Sequence, residues 1–148
     1  MEEPDRLEDR ATGPDDPISG SEQAVGRPTR QEVEDSLASQ LLEIHENSYG
    51  RGATSAASHL VGDTLVVVLD GLELLPNERF LIANGKEETV REVRHRFQQA
   101  IEETFRAAVE RATGRAVTAF TSNTHLEEPF FSVEIFRLGP ERDPKWSG

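Results

Sequence analysis

The sequence predicts an α+β fold: a two-layer sandwich with a four-stranded, mainly antiparallel sheet and the element order α-β-β-α-α-β-β. Three observations carry that prediction. A β-branched run, Thr64-Leu-Val-Val-Val-Leu69, follows a weaker strand across a Gly-Asp turn, as a hairpin does. Apolar residues recur at helical spacing from Val90 to Ala112 in the second half. Two further strand-like segments close the chain after Gly114.

Taken in order, the first helix is expected over residues 31–47, where Val33, Leu37, Leu41 and Ile44 recur at helical spacing. Thr29, with Glu32 three residues on, supplies a capping box, and Ser48-Tyr49-Gly50-Arg51-Gly52 stops the helix. Strands are expected over 55–60 and 64–69, joined by Val61-Gly62-Asp63. Pro76 opens a short helix to Ile82, because a proline is tolerated in a first turn, and Asn84-Gly85 ends it. The long helix is expected over about 86–113, with Val90, Val93, Phe97, Ile101, Phe105, Ala108 and Ala112 as its apolar stripe. Phe97, Ile101 and Phe105 are expected to pack against Val66, Val68 and the last strand. The final strands are expected over 116–121 and 130–138, with Ser122-Asn123-Thr124-His125 as the connection between them. Phe131, Val133, Ile135 and Phe136 alternate imperfectly, so both faces of the last strand are expected to be partly covered.

The domain lies between two segments of different composition. Residues 1–30 contain four prolines and only Leu7, Ile18 and Val25 as large aliphatics, a set too poor in apolar surface to offset the entropy of ordering. They are expected to form a disordered acidic tail, with the folded domain over 31–138 and a short C-terminal tail over 139–148.

Charge and composition exclude several classes of function. A net charge of −12, from 16 basic and 28 acidic residues, opposes a general grip on nucleic acid or an anionic membrane surface. The absence of cysteine removes disulfides, thiol catalysis and thiolate metal sites. No apolar run is long enough to cross a bilayer, and the acidic first residues have no secretory character, so a cytoplasmic location is expected. His45, His59, His95 and His125 lack the spacing of a helical metal pair; no metal or other cofactor is expected. Ser122 near His125 has no nucleophile elbow around it and reads as turn chemistry.

The residues with binding potential are Tyr49, Gly50, Arg51, Gly52, Arg91, Arg94 and His125. Glycines flanking an arginine can expose backbone N–H groups beside a guanidinium, which suits a phosphate or carboxylate. Arg91, Arg94 and His125 would complete a positive pocket if the fold brought them to that loop. The bland alternative is a helix stop beside a salt-bridged helix face, since Glu87, Glu88 and Glu92 are interleaved with the arginines.

Six segments in this order resemble the MpsC-type family, named for a sodium-translocating, membrane-potential-generating system. They are Tyr49-Gly50-Arg51-Gly52-Ala53-Thr54-Ser55, the Gly62-to-Leu69 strand and the Leu75-to-Glu78 turn, then Val90-Arg91-Glu92-Val93-Arg94 with Phe97-Gln98, Thr113-Gly114-Arg115, and Ser122 through Phe136. The likeness covers residues 31–138. Ala53, Leu75 and Asn123 depart from the family's usual proline, threonine and acidic residue. The resemblance implies no reaction. It implies an accessory or regulatory protein linked to a membrane-potential or inorganic-carbon transport system. Two functions follow: a non-enzymatic module that docks on a protein partner or a second copy, or a small-anion binder, possibly an enzyme, using the Gly50-Arg51-Gly52 loop.

Overall fold

The computed structural model describes residues 26–50 and 52–141; the expected disordered tail up to residue 25, and the end of the chain from 142, lie outside the described residues. The elements are α1 (Arg30–Tyr49), β1 (Ser55–Val61), β2 (Thr64–Asp70), α2 (Pro76–Ala83), α3 (Glu87–Thr113), β3 (Val117–His125) and β4 (Phe131–Leu138), the order the sequence predicts. The strands form one antiparallel sheet in the order β1-β2-β4-β3. The α+β two-layer reading therefore holds.

Local signals work as the residues dictate. The Thr29 hydroxyl accepts the Glu32 N–H at 3.1 Å and caps α1. Gly50 closes that helix at φ 92°, a left-handed angle open to glycine at little cost. Leu75 offers no side-chain cap to α2, but Glu78 accepts the Leu75 N–H at 2.8 Å and supplies half of a capping box.

One face of the sheet carries the core. Leu65, Val67 and Leu69 of β2 are buried under α1 and α3 with Leu37, Leu41, Ile101 and Phe105. Phe120 links Phe105 to Phe136, with ring centroids 6.3 and 4.9 Å away respectively. Val66 and Val68, expected to face the long helix, point the other way and are only half-buried. Every residue of that run is apolar, so its alternation has no readable phase; the register with β4 decides it. In β4, where both faces were expected to be partly covered, Ser132, Glu134, Phe136 and Leu138 are buried, and Phe131, Val133 and Ile135 lie half-buried on the outer face.

The long helix also presents a different stripe. Val90, Arg94, Gln98, Ile101, Phe105, Ala108 and Val109 are buried, whereas Val93 is 53% exposed. The connection expected at 122–125 is strand instead: β3 runs to His125, and the chain turns over residues 126–130. Ser, Asn and Thr favour turns locally, but here each is paired across the ladder with β4.

The two edges of the sheet differ. Edge strand β1 is covered by α1: the Glu34 carboxylate accepts the Leu60 N–H at 2.7 Å, Arg30 donates to the Leu60 carbonyl, and Ser58 Oγ donates to the Glu34 carbonyl at 2.5 Å. The bonds from Glu34 and Arg30 satisfy the Leu60 backbone groups that would otherwise template a foreign strand, and the Ser58 bond ties the strand to the helix.

Candidate functional site

Two polar clusters lie against the inner face of α3. The first joins all three helices. Glu78 of α2 is 4% exposed, and its carboxylate accepts Arg94 Nε at 2.8 Å and Arg94 Nη2 at 2.9 Å. Tyr49, at the end of α1, donates its hydroxyl to the same carboxylate. The Arg94 guanidinium lies 4.4 Å from the centre of the Tyr49 ring, a cation–π arrangement, and Phe97 packs edge-on to Tyr49 at 4.6 Å. Burial would raise the Glu78 carboxyl, but the bonds from Arg94, Tyr49 and Leu75 outweigh it and hold the group below its usual range. Burial, then the bond to Glu78, raises the Tyr49 phenol. His45 stacks on Tyr49 at 5.9 Å; burial and then the Arg94 charge push its imidazole down to about 4, so it is neutral at physiological pH. Glu78, Arg94 and Tyr49 satisfy one another, which makes them a pin between helices, while the buried His45 Nδ1 beside them has no hydrogen-bond partner among the described residues.

The second cluster has the opposite character. A cleft of about 500 Å³ opens between the N-terminal half of α3 and the C-terminal half of β3. Arg91, His95 and Gln98 line one wall, with Glu88 and Glu92; Ser122, Asn123 and Thr124 line the other. The arginines of this region are engaged locally, Arg91 with Glu88 and Arg96 with Glu92. Behind Ser122, directly opposite it in register, sits Glu134, fully buried on a central strand with Val67 on its other side.

Glu134 is the anomaly of the core. Neither carboxylate oxygen finds a hydrogen-bond partner among the described residues, and neither do Ser122 Oγ or Gln98 Oε1. Burial pushes the Glu134 carboxyl up to about 7, and the nearby hydroxyls of Ser122 and Ser132 offset only part of that. Ser132 Oγ gives its hydrogen to the Asn123 carbonyl at 3.2 Å and accepts from Thr124 Oγ1 at 3.5 Å, which leaves it one lone pair for an incoming group. Buried polar atoms are ordinarily satisfied, so four such oxygens on facing elements mark a place built to receive something.

The residues singled out in the sequence divide among these surroundings. Tyr49 and Arg94 belong to the pin, while Arg91 lines the cleft. His125 is on the outer face of the sheet, stacked on Phe131 at 5.2 Å, with Nδ1 3.0 Å from the carbonyls of both Glu127 and Pro129. Gly50 ends α1, and a side chain at Gly52 would run into Glu46 at 2.8 Å. Arg51 lies outside the described residues. The structure thus does not bring Arg94 and His125 to one pocket: the sheet and the Glu78 contact separate them. Glu134 was missed because Phe131, Val133, Ile135 and Phe136 alternate imperfectly, which left the inward face of the last strand unassigned. The available signal was a glutamate in a strand that is apolar at both parities.

A family profile described as MpsC, a Na+-translocating membrane potential-generating system, matches residues 29–138. No curated protein and no solved structure matches the chain significantly. No described helix is long and apolar enough to cross a membrane.

Proposed function

Because the chain belongs to the MpsC family over residues 29–138, we propose that it is a non-enzymatic accessory subunit that works in the cytoplasm and docks onto another protein of a membrane-potential system. The observation that carries this reading is the outer face of the sheet. Val61, Val66, Val68, Phe131, Val133 and Ile135 lie there with no helix over them among the described elements, and Val61 is 67% exposed. An antiparallel sheet commonly leaves one face to solvent, but that face is then polar. Here the centre of the outer face, Val66 and Val68 of β2 beside Val133 and Ile135 of β4, is apolar, while His59, Thr64, Thr121, Asn123 and Arg137 lie around it, and Asp70 is the only carboxylate among the outward strand positions in a chain carrying 28 acidic residues. A contiguous apolar window framed by charge is the character of a protein-docking surface. The acidic remainder of the molecule opposes anionic lipid and nucleic acid.

The test is co-purification with the membrane subunits of the system. Val66→Lys and Ile135→Glu are expected to abolish it while the far-ultraviolet circular dichroism is retained; Val93→Glu, on the helical layer, is expected to leave it intact. Undiminished co-purification of both outer-face variants would overturn the reading.

A further inference from the structure

From the cluster around Glu134 we infer that the core of this protein holds a small monovalent cation, coordinated by the Glu134 carboxylate with the oxygens of Ser122, Ser132 and Gln98. This goes beyond the docking role and rests on different residues. The argument begins with donor type. The unpartnered buried atoms here are all oxygens: both of Glu134, Oγ of Ser122 and Oε1 of Gln98. Carboxylate, hydroxyl and amide oxygens are the ligands of hard cations.

The place is set by register. Glu134 and Ser122 face each other across the β3–β4 ladder on the core side. Gln98 lines the same cleft as Ser122, two turns before Phe105, whose ring meets Phe120 two residues before Ser122. Helix and strand therefore bring the amide over the serine. Glu134 is fully buried, and Gln98 and Ser132 are 5% and 1% exposed, so the oxygens lie beneath the cleft rather than in it. An occupant that reaches them is the size of an ion, and the cleft is its route in.

Charge selects the valence. The arginines that line or flank the cleft are paired elsewhere, with Glu88 and Glu92, and the groups acting on Glu134 are two neutral hydroxyls. One uncompensated carboxylate matches one positive charge. A divalent ion would lack a second carboxylate here, and among the described residues no group of three His, Asp or Glu side chains converges for a metal.

The experiment compares thermal unfolding of the full chain at pH 8, where Glu134 is largely ionised, in NaCl, KCl and choline chloride at equal ionic strength. A rise in Tm with sodium or potassium over choline, growing with concentration, is expected for the parent. It should vanish in Glu134→Gln, which removes the charge at nearly constant shape, and should shrink in Ser122→Ala. Sodium-23 line broadening by the parent, lost in Glu134→Gln, would give the binding directly. Equal Tm in all three salts, or a sodium or potassium increment retained in Glu134→Gln, would overturn the inference and leave a buried water or proton as the occupant.

Discussion

The Arg94 guanidinium holds both oxygens of the Glu78 carboxylate, at 2.8 and 2.9 Å, with each side chain about 95% buried. A helix that opens at Pro76 is thereby fixed to the N-terminal third of the buried face of α3, and Tyr49 adds the end of α1 to the same point. The geometry is bidentate and the remaining acceptor capacity is used by Leu75 and Tyr49, which is what a buried pair needs to survive its own desolvation.

Arg94→Ala is expected to cost about 3–5 kcal/mol, because it leaves a buried carboxylate without its cation. Arg94→Lys should recover only part of that, since an ammonium lacks the planar fork. Urea titration of the two variants checks this; a cost near zero for Arg94→Ala would mean that the pin is dispensable.

Phe105 and Phe97 separate two readings of the long helix. Phe105 is fully buried within the main core, whereas Phe97 only borders it. Phe105→Ala is expected to cost about 3–5 kcal/mol, and Phe97→Ala distinctly less. Equal losses in chemical denaturation would contradict the observed stripe.

Two buried groups give opposite pH dependences. In choline chloride, with no sodium or potassium to occupy the site, Glu134 has its carboxyl raised from 4.5 to about 7, so the folded state holds a proton that the unfolded chain has released, and stability falls as pH rises through that window. His45 is lowered from 6.5 to about 4, so the unfolded chain binds the extra proton and stability rises over its window. Each effect is on the order of 3 kcal/mol, and they overlap between pH 4.5 and 6.5. Relative to the parent, the Tm of Glu134→Gln should therefore climb more steeply with pH between 5 and 7. That of His45→Phe should fall more steeply between 4.5 and 6.5. Parallel profiles for all three proteins would show that neither group titrates in the core.

Glu34 guards an edge. Its carboxylate occupies the Leu60 N–H of β1, so Glu34→Ala should expose an unpaired strand edge. The expected outcome is concentration-dependent self-association by light scattering, with the helical content retained. A strictly monomeric variant would show that the Arg30 bond to the Leu60 carbonyl and the Ser58 bond to α1 suffice.

Much of the fold was legible because its signals are local. Thr29 with Glu32, Pro76, Asn84-Gly85 and Gly114 mark helix ends through the conformations and bonds of a few neighbouring residues. β-branched residues mark β2 in the same way. The element order and the two-layer class follow from these alone. The site was far less legible. Arg94 and Gln98 are polar residues on a buried stripe, and a pattern of hydrophobicity assigns such residues to the surface. Val93, chosen in their place, is exposed.

The sequence by itself determined the order of helices and strands, with residues 122–125 the segment it misassigned, and that the acidic chain carries no thiol chemistry. Tertiary structure alone decided which side of each strand faces inward. In a run such as Val66-Val67-Val68 both parities are apolar, so a shift of one residue changes no local energy, and only pairing with β4 and packing under α1 and α3 choose between the two. That choice puts Val67, Glu134 and Ser122 in one row beneath the long helix, and leaves Val66, Val133 and Ile135 on the open face. The buried carboxylate and the apolar window are two consequences of the same register, which is set by contacts between residues some 70 positions apart.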